Sequence, residues 1–248
     1  MNHRILGLSG VKRSGKTTCV NFMHGYEMKR NDVIKHFELN DRGGLLVNTI
    51  FTDEKGEETE GMGVFDVHRT DDDFANYAAQ RVWPYVKAYN FADSLKSVAM
   101  TLFGLTREQC YGTGSQKNEE IDIKKPGTDE NFTARGFLQH FGTDMCRSLK
   151  PDIWTSYLIR QMSAEQVGLA LVGDCRFPNE VNAIHKAGGR VIRLTRRVNE
   201  DEHESETALD DFKEFDGVID NSELTVDEQC KKLIAILGGW GWLSSELK

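Results

Sequence analysis

Three observations predict an α/β fold with a doubly wound, mostly parallel sheet and helices on both faces. Short apolar runs recur along the chain, helical patterns separate them, and the first run opens through a glycine-bearing turn straight into a helix. Residues 4–9 read as a buried strand and 16–29 as the helix after it. Residues 43–67 differ. Two β-rich runs, with Leu45, Val47, Ile50 and Phe51 before and Val64, Phe65 and Val67 after, flank the acidic turn from Asp53 to Glu58. That predicts a hairpin inserted on the parallel core, with a solvated tip. A homodimer interface at this hairpin is an expectation.

Residues 71–86 read as a helix, with Asp71–Asp73 at its start and Phe74, Ala78, Val82 and Tyr85 on one side. A short strand is expected at 89–92. A helix over 94–103 follows, with Leu95, Val98, Ala99 and Leu102 on one face and Gly104 as its stop. The polar stretch 111–131, with Gly112, Gly114, Pro126 and Gly127, reads as a mobile loop. Helices are expected over 133–147 and 152–162, a strand over 167–172, a helix over 179–186 and a strand over 190–195. Residues 196–213 are charged and poor in apolar side chains. A last strand at 217–220 and a helix at 226–237 complete the chain.

The 248 residues carry 31 Lys plus Arg against 39 Asp plus Glu, a net charge of -8. That argues against a nucleic-acid-coating surface and leaves room for a local basic pocket. The five cysteines are odd in number and lack CxxC spacing, as for reduced thiols in a cytoplasmic protein. The apolar run at 5–8 is too short for a signal peptide or a membrane span, so no membrane partner is expected.

Residues 10–17, from Gly10 through Lys12, Arg13, Ser14, Gly15 and Lys16 to Thr17, fit G-x-x-x-x-G-K-[ST] between a predicted strand and a predicted helix. Backbone N–H groups of such a loop and the helix N-terminus present positive potential to phosphate oxygens. Lys16 is expected at the β- and γ-phosphates and the Thr17 hydroxyl on Mg²⁺. Gly15 permits close backbone approach. The run from Val167 ends in Gly173-Asp174, an acid at a strand C-terminus where open sheets bind ligands. Asp174, Arg176 and Glu180 together suit a phosphate, a metal-bound water or a sugar hydroxyl. An Asp cap with an Arg–Glu surface pair is the alternative.

Phosphoryl transfer between nucleotides needs further cations, and Lys12, Arg13, Lys96, Arg135, Arg176, Arg196 and Arg197 are candidates. Arg196 and Arg197 open a stretch suited to a closing lid, 196–213. Arg135 lies near Gln139, His140, Gly142, Thr143 and Asp144, a polar break in its helix. Trp154 suits either a core position or stacking on a base.

These blocks, in this order and spacing, resemble the phage deoxynucleoside monophosphate kinases. They run from the 9–17 loop through Phe91-Ala-Asp-Ser-Leu-Lys96, Gly142-Thr-Asp144, Asp152-Ile-Trp154 and Asp174-Cys-Arg-Phe-Pro-Asn-Glu180 to Val218-Ile-Asp-Asn221. The resemblance covers nearly the whole chain except 43–67. It implies one P-loop kinase domain over 1–248, a monophosphate-binding helical region over 92–166 and a lid over 196–213. It implies ATP and Mg²⁺, a deoxynucleoside monophosphate acceptor, no nucleic-acid partner, and the cytoplasm of an infected host cell. Carried over, Lys12 and Arg13 would lie between the donor and acceptor phosphates, and Lys96 and Arg135 would bind the acceptor phosphate. Gln139, Gly142, Thr143 and Trp154 would form the base pocket. Asp174, Arg176 and Glu180 would complete the acceptor and metal site, and Arg196 and Arg197 would act from the lid. Some members use the Thr after the position of Thr17, and this chain has Thr18 there; some lack an acid where it has Asp93. Two other readings stand beside this one: a dephospho-coenzyme A kinase-like enzyme, and a nucleotide-binding switch or ATPase, against which the net charge weighs.

Overall fold

The computed structural model describes residues 4–69, 71–196 and 207–243. They fall into two compact units, one from 1–90 with 162–248 and one from 91–161. Among the described residues no helix is long and apolar enough to cross a membrane.

The first unit is built on a five-stranded parallel sheet. Its strands are β1 (Arg4–Ser9), β5 (Val86–Tyr89), β8 (Leu169–Cys175), β9 (Arg190–Leu194) and β10 (Gly217–Ile219), in the order β10-β9-β1-β8-β5. β1 is buried along nearly its whole length, as expected of a strand covered on both faces. Its alternation shows the two layers. Leu6 and Leu8 join the cluster containing Cys19, Val20 and Met23 of α1 (Lys16–Arg30) and Leu233 and Leu237 of α9 (Val226–Gly239). Gly7, on the other face, lies so close to α8 (Pro178–Lys186) that a Cβ there would stand 2.7 Å from Ile184 Cδ1. Successive residues of a strand face opposite sides, so α1 and α8 cover opposite faces. This is the doubly wound arrangement of P-loop proteins.

The hairpin over 43–67 forms as β3 (Leu45–Thr52) and β4 (Glu58–Val64). A third strand, β2 (Phe37–Leu39), pairs with β3; three residues are too few to show a period. Phe37 reaches α1, where it stacks edge-on with Phe22 at 5.8 Å and fills the space that a Cβ on Gly25 would occupy.

The helix expected over 71–86 is shorter. α2 (Asp72–Arg81) starts at Asp71, whose side chain accepts from the Phe74 N–H, and stops three residues before Pro84. Proline disfavours helix in the residue before it and cannot donate to the preceding turn. Val86 to Tyr89 then enter the sheet as β5, three residues earlier than the strand expected at 89–92.

The second unit contains α3 (Ala92–Phe103), α4 (Arg107–Tyr111), α5 (Gly114–Lys117), β6 (Glu120–Lys124), β7 (Asn131–Thr133) and α6 (Ala134–Gln139). A π-helix (His140–Arg147) and most of α7 (Ile153–Glu165) follow. Ala99, Leu105, Cys110, Ile121, Ala134 and Phe137 form its core. The stretch 111–131 is therefore ordered rather than a loop. Thr106 with Gln109 and Thr113 with Gln116 make reciprocal capping boxes that start α4 and α5. β6 and β7 close a hairpin whose turn uses Gly127 at φ 74°. The helix expected over 133–147 changes to π geometry at His140, a distortion that concentrates at functional sites.

Candidate active site

In the first unit the loop after β1 turns on Gly10 (φ 150°), Arg13 (φ 64°) and Gly15 (φ 99°). A side chain on Gly10 would collide with Ser14 Oγ at 2.3 Å and with the Leu194 carbonyl at 2.9 Å. α1 begins at Lys16 with no side-chain cap and no acid in its first turn, so its leading N–H groups are left for an anion. Ser14 Oγ is buried without a hydrogen-bond partner, a donor left over in the cradle. Lys16 is 7% exposed, and its Nζ donates to the carbonyls of Gly10 (2.6 Å) and Val11 (2.8 Å). Burial lowers its ammonium from the ordinary lysine value to about 7; Arg176 and Arg193 push the same way and Asp174 opposes them. Lys12 and Arg13 are exposed at the tip and Thr17 at the helix start. Thr18 instead turns its hydroxyl to Gly43, where a Cβ would meet Oγ1 at 2.2 Å.

The strand ends beside the loop carry the charges. Gly7 pairs with Val172 and Ser9 with Cys175, so β8 holds one extra residue at Gly173–Asp174. Such a bulge re-aims a side chain, and Asp174 acts on Lys16 electrostatically from it. Arg193, at the matching end of β9, donates from Nη1 to Ser9 Oγ (3.0 Å) and from Nη2 to Asp210 Oδ1 (3.3 Å). Glu180 is buried and its Oε2 accepts the backbone N–H groups of Arg176 (2.7 Å) and Phe177 (3.1 Å), which starts α8. Arg196 donates from its side chain to the carbonyls of Asn221 (2.9 Å) and Leu224 (2.5 Å). Arg197, with the stretch to residue 206, lies outside the described residues; the described remainder of 196–213 includes the buried Leu209.

The second unit gathers its own polar group. Lys96 Nζ sits 4.1 Å from the centroid of the Tyr111 ring and 4.0 Å from Asp93 Oδ1. The Tyr111 hydroxyl donates to Asp93 at 3.2 Å, and burial and that carboxylate hold its pKa well above the ordinary tyrosine value. Arg107 lies over the same ring at 5.2 Å. Arg135 Nε donates to Asn118 Oδ1 (3.0 Å). Gln139 leads into the π-helix that contains Gly142 and Thr143. Trp154 is buried and donates its indole N–H to the Gly142 carbonyl (3.0 Å), so its visible work is to fix that residue. Gly142 itself packs on Leu95, which a Cβ would meet at 2.6 Å.

A loop of positive-φ residues at an uncapped helix N-terminus suits a phosphate, and comparison with known proteins gives the family. Residues 75–233 match the family of deoxynucleotide monophosphate kinases. A putative deoxynucleotide monophosphate kinase of Acanthamoeba polyphaga mimivirus is 32% identical over 160 residues, covering 59% of this chain and 80% of the viral protein. The chain belongs to the deoxynucleotide monophosphate kinase family. It is a phosphotransferase that acts on deoxynucleoside monophosphates. The family match takes in the second unit, Asp174, Arg176 and Arg193, while the loop of residues 10–17 precedes it and is read from its own geometry.

Four residues make contacts that the reading by motif assigned to none of them, although Asn221 stands in one of the blocks that carry the family resemblance. Arg193 looks like one more polar position in a short strand, and only its register with Ser9 brings it to the loop. Tyr111 opens the stretch 111–131 that reads as a loop. Asn221 and Gln229 lie more than 200 residues from the loop that they contact, and nothing local signals it.

Proposed function

We propose that the phosphoryl donor of this kinase is ATP, held with Mg²⁺ on the loop of residues 10–17. The buried Ser14 hydroxyl without a partner, in a cradle of positive-φ residues at an uncapped helix N-terminus, carries the reading. On binding, Lys16 would exchange the Gly10 and Val11 carbonyls for β- and γ-phosphate oxygens. Thr17 would supply a hydroxyl and Asp174 a carboxylate to hold Mg²⁺, which needs few protein ligands when phosphates supply others. The metal would neutralise charge on the transferring group. Arg193 and Arg176 add positive charge beside Lys16.

We assign the acceptor phosphate to the second unit, to Lys96 and Arg135. An oxygen of the acceptor phosphate attacks the γ-phosphorus in line, the bond to the β,γ-bridging oxygen breaks, and ADP leaves. The attacking oxygen is already ionised near neutral pH, so no protein base takes a proton. The protein contributes position and charge. Gln139, Gly142 and Thr143 face the base in this reading, with Trp154 behind Gly142. Lys12 and Arg13, exposed at the loop tip, would act on the transferring group in this reading.

The test is steady-state kinetics of Lys16→Ala with ATP and a deoxynucleoside monophosphate that the wild type uses. Turnover should fall by roughly 10²–10³-fold, the cost of removing one preorganised charge-stabilising donor. Near-normal turnover would contradict the donor site.

A further inference from the structure

The P-loop carbonyls are held from below by two buried side-chain amides. Asn221 is 0% and Gln229 2% exposed. Asn221 Nδ2 donates to the Ser14 carbonyl (2.7 Å) and to Gln229 Oε1 (2.6 Å), and Asn221 Oδ1 accepts the Arg196 N–H (2.9 Å). Gln229 Nε2 donates to the Gly15 carbonyl (3.1 Å) and to Cys19 Sγ (3.2 Å). The orientation of both amides is fixed by their main-chain partners. Ser14 and Gly15 offer only carbonyl oxygens at these contacts, and Arg196 offers only an N–H. Each amide therefore has its oxygen and its nitrogen committed.

We infer that Asn221 and Gln229 are positioning residues for the donor phosphates. A peptide unit whose carbonyl is tied down on one side presents its N–H on the other. Tying the Ser14 and Gly15 carbonyls toward the core aims the N–H groups of Gly15 and Lys16 at the anion site. The pair also blocks the loop from relaxing, because the Gln229 amide fills the space under Gly15, where a Cβ would meet it at 2.6 Å. Asn221 carries the same link to Arg196, two residues past the end of β9, whose guanidinium is anchored on the carbonyls of Asn221 and Leu224. The loop and the segment entering 196–213 thus share one side chain. The inference rests on the donor reading above.

The test uses Asn221→Asp and Gln229→Glu, which keep size and shape. Each replaces an N–H donor with an oxygen facing a P-loop carbonyl. Asn221→Asp still accepts the Arg196 N–H. The expected result is a KM for ATP raised roughly tenfold, the equivalent of about one buried hydrogen bond. The KM for the deoxynucleotide and the kcat at saturating ATP should stay near wild type. The double variant should cost less than the product of the singles, because both act on one network. A purely structural role would lower stability and spare the ATP KM, or move both KM values together, and either outcome overturns the proposal. If a carboxylate variant does not fold, Gln229→Met removes the hydrogen bonds and keeps the bulk, and the same split in KM is required of it. Lys16→Ala is measured alongside. Loss of activity there with an unchanged ATP KM in the amide variants defeats this inference alone, whereas normal activity in Lys16→Ala defeats the donor reading beneath it.

Discussion

The two units hold their candidate site residues in opposite ways. In the first unit the phosphate loop depends on partners far along the chain. Ser14 is tied to Asn221 across 207 residues and Gly15 to Gln229 across 214. In the second unit the corresponding contacts are local. Tyr111 meets Asp93 across 18 residues, Arg135 meets Asn118 across 17, and Trp154 meets Gly142 across 12. Lys16 is also almost out of water, whereas Arg135 bonds at the exposed surface. A charge in a dry, preorganised site acts more strongly than the same charge in water. Substitutions in the loop should therefore change rate steeply, and substitutions in the second unit should mainly change acceptor affinity.

The largest expected effect is that of Lys16→Ala given above. Next comes Arg193→Gln, which removes a cation from the strand end beside Lys16. We expect kcat/KM for ATP to fall roughly 10–100-fold, and an unchanged value would remove Arg193 from the site. On the other unit, Lys96→Ala should raise the KM for the acceptor about tenfold and leave that for ATP unchanged. A matching rise in both would erase the contrast. Smaller still, Trp154→Phe loses the N–H bond to the Gly142 carbonyl and should cost about 1 kcal/mol in denaturant unfolding.

The smallest signal is a fraction of a proton. Lys16 in the nucleotide-free loop has its pKa lowered to about 7, and phosphates placed against its ammonium raise it. ATP binding at pH 8 should therefore take up protons, with uptake fading below about pH 6, where the amine is already charged. Calorimetry in buffers of different ionisation enthalpy reads this directly. The linked stability effect has the same origin. The unfolded chain holds that proton more tightly than the native one, so nucleotide-free stability gains from Lys16 as pH rises from 7 toward 10.5. Lys16→Met should abolish that gain.

The contrast also marks what could be read from the chain. The strand, loop and helix at residues 4–30 declare themselves because the pattern is contiguous. The parallel sheet follows from alternation of short apolar runs with helices. The stretch 111–131 was misread because its order comes from Thr-x-x-Gln capping boxes and an Ile121–Ile123 alternation, signals weaker than the glycines and the proline around them. The helix expected through Val86 failed at Pro84, whose break outweighed the apolar spacing. The contacts of Arg193, Asn221 and Gln229 stayed hidden for a different reason: they are set by sheet register and by packing across the whole chain, which local spacing does not carry even where, as for Asn221, the residue stands in a family-like block. Glu180 shows the reverse, a residue in a suggestive cluster whose Oε2 caps two backbone N–H groups.

The most direct test of the account is ADP formation from Mg·ATP by the wild-type protein, with each common deoxynucleoside and ribonucleoside monophosphate added singly. The account predicts ADP only when a deoxynucleoside monophosphate is present, with one diphosphate product formed for each ADP. ADP released at the same rate without an acceptor, or no ADP with any of them, would contradict it.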